Sequence, residues 1–121
     1  MARQILNARI TRTTLGTEDH NILTAFLEFS GDGWGCGFGG YGFDEWDATQ
    51  RTRVGHAYGM EFIRRVLTTL EVSTWEKLPG TYARVESSGL GGRIHRIGHI
   101  MKDQWFDPEE LAAEMRLKEK E

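Results

Sequence analysis

The sequence of 121 residues predicts an α+β fold: a small antiparallel sheet of about five strands packed on one principal helix, with a short C-terminal helix. Three observations carry that prediction. Apolar and polar residues alternate through several short segments before residue 43 and again after residue 80, the period of half-buried strands. Between them, Met60, Ile63, Val66, Leu67 and Leu70 recur at the spacing of one helix face. Near the end, Asp107-Pro108-Glu109-Glu110 has the form of a helix start, with Asp107 as cap, Pro108 in the first turn and Phe106 placed to meet Leu111. The length suits a single domain over residues 1–121, with one core and not two.

The elements follow in order. In the first strand Leu6, Ala8 and Ile10 alternate with Asn7, Arg9 and Thr11, and the strand is expected to end near Gly16. Thr17-Glu-Asp-His20 makes the turn into a second strand that carries Leu23, Ala25, Leu27 and Phe29 on one face, with Ile22 and Phe26 on the other. Asp32-Gly-Trp-Gly-Cys-Gly-Phe-Gly-Gly-Tyr-Gly42 comes next, and its glycines admit three readings. A linker would be polar and serine-rich, which this is not. A Walker loop needs Gly-Lys-Ser/Thr, and the G-x-G-x-x-G formed by Gly35, Gly37 and Gly40 opens no helix. A strand remains, with Gly33, Gly35, Gly37 and Gly39 as a bare face opposite Trp34, Cys36 and Phe38, open to a helix, another chain or a flat ligand. Three sequential strands then form a meander, and Asp44-Glu-Trp-Asp47 ends the strand region.

The principal helix is read over about residues 50–71. Gly55 and Gly59 then form a small-residue ridge near the glycine face of the third strand or near a bound group; alternatively the helix begins only after Gly55. Ser73-Thr-Trp-Glu76 has the form of a capping box and predicts a helical turn before Pro79-Gly80. Thr81–Val85 alternates again, Tyr82 and Arg84 on one face and Ala83 and Val85 on the other. Arg93–Ile100 is the fifth strand, and isoleucines spaced by three predict a bulge around Gly98.

Charge and composition narrow the chemistry. The net charge of -3 argues against duplex DNA, but residues 51–96 carry eight Arg and Lys against four Glu, a local balance of +4 set against -7 for the rest. That basic stretch suits a small anionic ligand, or else it coats solvated faces. No apolar run approaches the roughly 20 residues of a membrane span, and the first residues lack the apolar segment of a signal peptide, so a cytoplasmic protein is expected. A single cysteine, Cys36, forms no intrachain disulfide and is read as a packed thiol. Asp19-His20 is read as turn chemistry before acid–base chemistry, and His95 and His99 lie in a strand-like pattern without His-Glu-x-x-His, so no metal or other cofactor is expected.

The binding constellation is richer. Arg51, Arg53 and His56 stand at or before the start of the principal helix, where backbone donors and the helix dipole favour phosphate. Phe38, Tyr41, Tyr58 and Tyr82 offer flat surfaces for a base, beside the exposed backbone of Gly39 and Gly40. Arg84, Arg93 and Lys102 can stack on a ring, pair with phosphate or donate to ribose. Each aromatic has a packing alternative as a core residue.

Thr14-Leu-Gly-Thr-Glu-Asp-His20, Gly37-Phe-Gly-Gly-Tyr41, Arg53-Val-Gly-His-Ala-Tyr-Gly-Met-Glu-Phe62 and Ile97-Gly-His-Ile-Met-Lys-Asp-Gln-Trp-Phe106 together resemble the phage Thoeris anti-defence proteins of the first described type. The resemblance covers most of the chain. It implies a non-enzymatic sponge in the cytoplasm of an infected bacterium, binding a cyclic ADP-ribose signal without cleaving it. It further implies a homo-oligomer, a dimer or a hexamer built as a trimer of dimers, with pockets at chain interfaces and, in some members, separate sites for cyclic oligonucleotides. On that basis Tyr82 is the candidate base platform, Arg84 or Arg93 its stacking partner, and Arg53 with His56 the phosphate contacts; the family's ligand asparagine has no evident counterpart. Binding without turnover calls for enclosing pockets and no proton-transfer groups. The alternative from another class is a phage inhibitor of the anti-CRISPR or anti-restriction type that grips a host defence protein through Trp46, Trp75 or Trp105. A cyclic-nucleotide hydrolase is the third reading.

Overall fold

The computed structural model describes residues 3–90 and 92–119. It is an α+β fold in which β1 (Gln4–Asp19), β2 (Ile22–Gly31), β3 (Trp34–Gly39), β6 (Tyr82–Ser87), β7 (Ile94–His99) and β8 (Trp105–Phe106) form one antiparallel sheet in the order β3-β2-β1-β6-β7-β8. Between its halves lie a hairpin of β4 (Asp44–Asp47) and β5 (Thr52–Gly55) and the helix α1 (Ala57–Leu70); α2 (Pro108–Glu119) closes the chain.

The meander forms as the alternation predicts, but the first strand outruns its expected end. β1 continues through Gly16 to Asp19, and the turn is only His20-Asn21, both at positive φ (53° and 63°). Two left-handed residues give the hairpin a twist that matches its strands, so the longer loop is unnecessary. Thr11 is an extra residue in β1, since Ile10 faces Phe29 while Arg12 faces Glu28. In β3 the predicted two faces are present: Cys36 and Phe38 pair with the inward-facing Phe29 and Leu27, whereas Gly35 and Gly37 pair with Ser30 and Glu28 on the outer face. That face is not wholly bare. The Phe26 ring lies over Gly37, where a Cβ would stand 2.3 Å from it.

The second half corrects four expectations. Asp44–Asp47 does not end the strand region; it pairs with Thr52–Gly55, and α1 starts after Gly55, the later of the two starts considered. Gly55 therefore has open space around it, and only Gly59 packs closely, against Phe43 and not against the glycines of β3. The turn after α1 is a 3-10 turn over Trp75–Lys77 with no side-chain cap bond, because Ser73 Oγ accepts from Lys77 Nζ instead of capping. The β7 bulge falls at His95 and not at Gly98: Glu86 faces Arg96 while Ser87 faces Ile94. Gly98 serves packing, as Trp105 lies across it at a distance that no Cβ would allow. α2 begins as predicted, with Asp107 Oδ1 accepting from the Glu109 amide at 2.9 Å and both Phe106 and Leu111 buried.

One core sits between the inner sheet face and the two helices. Phe62 of α1 is wholly buried, with ring centroids of Phe43 and Phe106 at 5.0 Å, Phe38 at 5.8 Å and Tyr41 at 5.9 Å. Close ring packing of this kind adds to the gain from burial. The outer sheet face carries no helix among the packed elements, and Ile5, Phe26 and Tyr82 stand exposed on it.

Candidate functional site

The predicted binding residues do not meet in one place. Phe38 is 2% exposed and belongs to the core, so it offers no platform to a ligand. Gly39 and Gly40 have positive φ (116° and 82°), and the Gly40 amide donates to the Ala25 carbonyl, so this pair turns the chain out of β3. Tyr41 and Tyr58 pack on Phe62, half-buried beneath the start of α2. Burial, with smaller contributions from Tyr41 and Asp107, pushes the Tyr58 phenol up to about 12.

The arginines divide just as sharply. Arg53 gives Nε and Nη2 to Asp44 Oδ1 at 3.0 and 2.9 Å and Nη2 to the Asp44 carbonyl at 3.2 Å. The Arg53 hydrogen bond leads the effects that hold the Asp44 carboxyl below its ordinary range, and the Leu23 amide adds to it. This cluster pins the β4–β5 hairpin to β2 and commits the Nε and Nη2 donors of Arg53 to Asp44 instead of phosphate. Arg93 pairs with Glu109 at 2.7 Å, and Lys102 pairs with Glu71. Arg84 donates to the carbonyls of His99 and Lys102, and its guanidinium lies 4.7 Å from the Trp105 ring, with Arg96 at 4.2 Å. Arg84 and Tyr82 share the outer face as predicted, but Arg84 stacks on the protein's own tryptophan. Arg51, at φ 57°, sits exposed in the hairpin turn.

What remains open is the end of α1. His56 precedes the helix with extended backbone, makes no side-chain cap bond, and is followed by a first turn without an acidic residue. The positive end of the helix dipole and its free amides are therefore left without a capping side chain. His56 Nδ1 is buried and has no hydrogen-bond partner. The ring borders a cleft of about 250 Å³ lined also by Tyr58, Ala112, Met115 and Arg116, with Glu45 at its margin. Arg116 was not singled out by the sequence, since a lone arginine near the chain end gives no local signal; only the packing of α2 on α1 brings it into the same cleft as His56.

The other candidate chemistry resolves into structural roles. His20 is bonded to Asp19 at the hairpin turn. His95 shares a hydrogen bond with Ser88, and His99 Nδ1 accepts from the amides of Met101 and Lys102. Cys36 packs against the core, where burial pushes its thiol up, away from the reactive thiolate. Trp75 and Trp105 are half-buried, whereas Trp46 is 59% exposed on β4. Among the described residues no group of three or more His, Cys, Asp or Glu is placed to hold a metal ion, and no helix is long and apolar enough to cross a membrane. No protein-family model matches the chain, and no curated protein or solved structure matches it either.

Proposed function

We propose that the protein is a sponge for a small phosphorylated nucleotide of the cyclic ADP-ribose type, held intact, with phosphate at the cleft where α1 begins. The observation that carries this reading is the orphaned His56 Nδ1 beside an uncapped helix N-terminus, in a cleft that Arg116 also lines. A helix N-terminus, an imidazole and a guanidinium border the one cleft, and each can donate to an anion. Tyr58, Ala112 and Met115 supply an apolar wall for the rest of the ligand. A cleft of about 250 Å³ is smaller than the roughly 300–1,000 Å³ that encloses a whole small ligand, so self-association, as a dimer or hexamer, belongs to the proposal. Anti-defence activity by withdrawal of an immune signal, with cyclic oligonucleotides as further ligands, is what the sequence resemblance adds.

The test is calorimetry with cyclic ADP-ribose, followed by heat denaturation and analysis of the released molecule. Intact nucleotide and loss of binding in His56→Ala and Arg116→Ala support the sponge; altered nucleotide replaces it with a hydrolase. Exposed Trp46 favours the alternative, direct capture of a host defence protein. Absence of nucleotide binding, together with loss of host inhibition in Trp46→Ala, would select that alternative.

A further inference from the structure

A second cleft, of about 300 Å³, opens on the outer sheet face, away from α1. Its polar lining comes from Asn7 and Arg9 of β1, Ser30 at the end of β2, Asp32 in the β2–β3 turn and Tyr82 at the start of β6. Arg9 lies between Ser30 on one neighbouring strand and Tyr82 on the other. The register thus sets Arg9 directly across from Tyr82, which is 61% exposed. Among the described residues, neither Arg9 nor Asp32 has an ion-pair or side-chain hydrogen-bond partner. Elsewhere on this face the charges are matched, as in Arg84 on Trp105, Arg96 with Glu86 and Arg12 with Glu28. Among the described residues this cleft therefore combines an unpaired cation, an unpaired anion and an exposed aromatic ring.

The geometry points to a nucleobase subsite selective for guanine. Arginine is only a donor and aspartate only an acceptor, so a ligand satisfying both must offer two adjacent acceptors on one edge and adjacent donors on another. Guanine does so: its O6 and N7 accept from a forked guanidinium, and its N1–H and N2 amino group donate to a two-lobed carboxylate. Adenine mixes one donor and one acceptor on each edge and leaves both charged groups half satisfied. Tyr82 supplies the stacking surface, and the opposed charges of Arg9 and Asp32 favour a neutral base over a bare anion. The site is independent of the α1 cleft and of whatever phosphate binds there.

Guanosine is the probe, because it lacks the phosphate assigned to the α1 cleft, and the Arg9 and Asp32 variants tie its binding to the outer face. Titration of the full-length protein, followed by tyrosine and tryptophan fluorescence and by calorimetry, should show guanosine binding at least about tenfold tighter than adenosine. Inosine, lacking the N2 amino group, should bind wild-type protein more weakly than guanosine, and the difference should vanish in Asp32→Asn. Arg9→Ala should erase the preference for guanosine over 7-methylguanosine, and Tyr82→Ala should abolish binding with an unchanged circular dichroism spectrum. Equal affinity for guanosine and adenosine, no binding at millimolar guanosine, or preferences unmoved by Asp32→Asn and Arg9→Ala would each overturn the assignment.

Discussion

The two faces of the main sheet use similar residues to opposite ends. Against the inner face Phe38 and Phe106 close into a nest with Phe43 and with Phe62 of α1, with Tyr41 and Tyr58 at its rim. On the outer face Phe26, Tyr82 and Trp105 lie apart, each beside a glycine or an arginine and each partly open to water. An aromatic ring becomes core when a helix covers it and a platform when none does. Strand alternation assigns the face, but the connectivity that follows decides which face receives the helices.

That comparison can be broken most forcefully at Phe62. Phe62→Ala should cost about 3–5 kcal/mol in urea unfolding, the range for a buried phenylalanine, while Tyr82→Ala should stay within about 0.5 kcal/mol. Equal losses would mean that the outer face is packed in solution. The glycines sharpen the contrast at a smaller scale. Gly39→Ala should cost roughly 1–3 kcal/mol, since φ is 116° and a Cβ would meet the Ala25 carbonyl oxygen at 2.3 Å. Gly55→Ala, with nothing within 4 Å, should be nearly silent in the same urea unfolding. A bulky residue at Gly39 thus tests the fold before it tests any ligand, and the same holds for Arg53→Ala, which releases the hairpin from Asp44.

The hairpin clamp gives a pH signature. The Asp44 carboxyl is held below its ordinary 3.8, chiefly by the Arg53 hydrogen bond, so its contribution is complete above that value and disappears as pH falls through the lower folded value. The gap in urea midpoint between wild type and Asp44→Asn should accordingly be widest near neutrality and close below pH 3.8; a gap independent of pH would reject the clamp. A second signature lies at the other extreme of pH. Tyr58 stays protonated in the fold up to about 12, against 10 for a free phenol, so stability should fall as pH rises between these values. Tyr58→Phe should flatten that alkaline decline, read from the thermal midpoint.

Much of the scaffold is legible in the sequence. The alternation of Leu23, Ala25, Leu27 and Phe29 gave a strand and its face, and Asp107-Pro108 gave a helix start, because both signals are local. The β4–β5 hairpin was not legible: Asp44-Glu-Trp-Asp47 is four residues of strand among charged and turn-forming neighbours, too short for a period to register. Nor was β8, only Trp105 and Phe106, which is a strand because β7 lies beside it. The candidate site fared less well for the same reason. Of the arginines, lysine and histidine expected to hold ligand, His56 lines an open cleft, whereas Arg53, Arg84, Arg93 and Lys102 are already spoken for by partners from 9 to 31 residues away.

By itself the sequence determined the α+β class, the glycine face of β3 against its Phe38 face, and the capping of α2, since periods of two and 3.6 residues and cap chemistry act within a few residues. Only the tertiary structure decided which cations stay free and which rings stay open. A guanidinium takes whichever carboxylate or carbonyl the fold brings near it, and that neighbour is fixed by strand order and helix packing, not by distance along the chain.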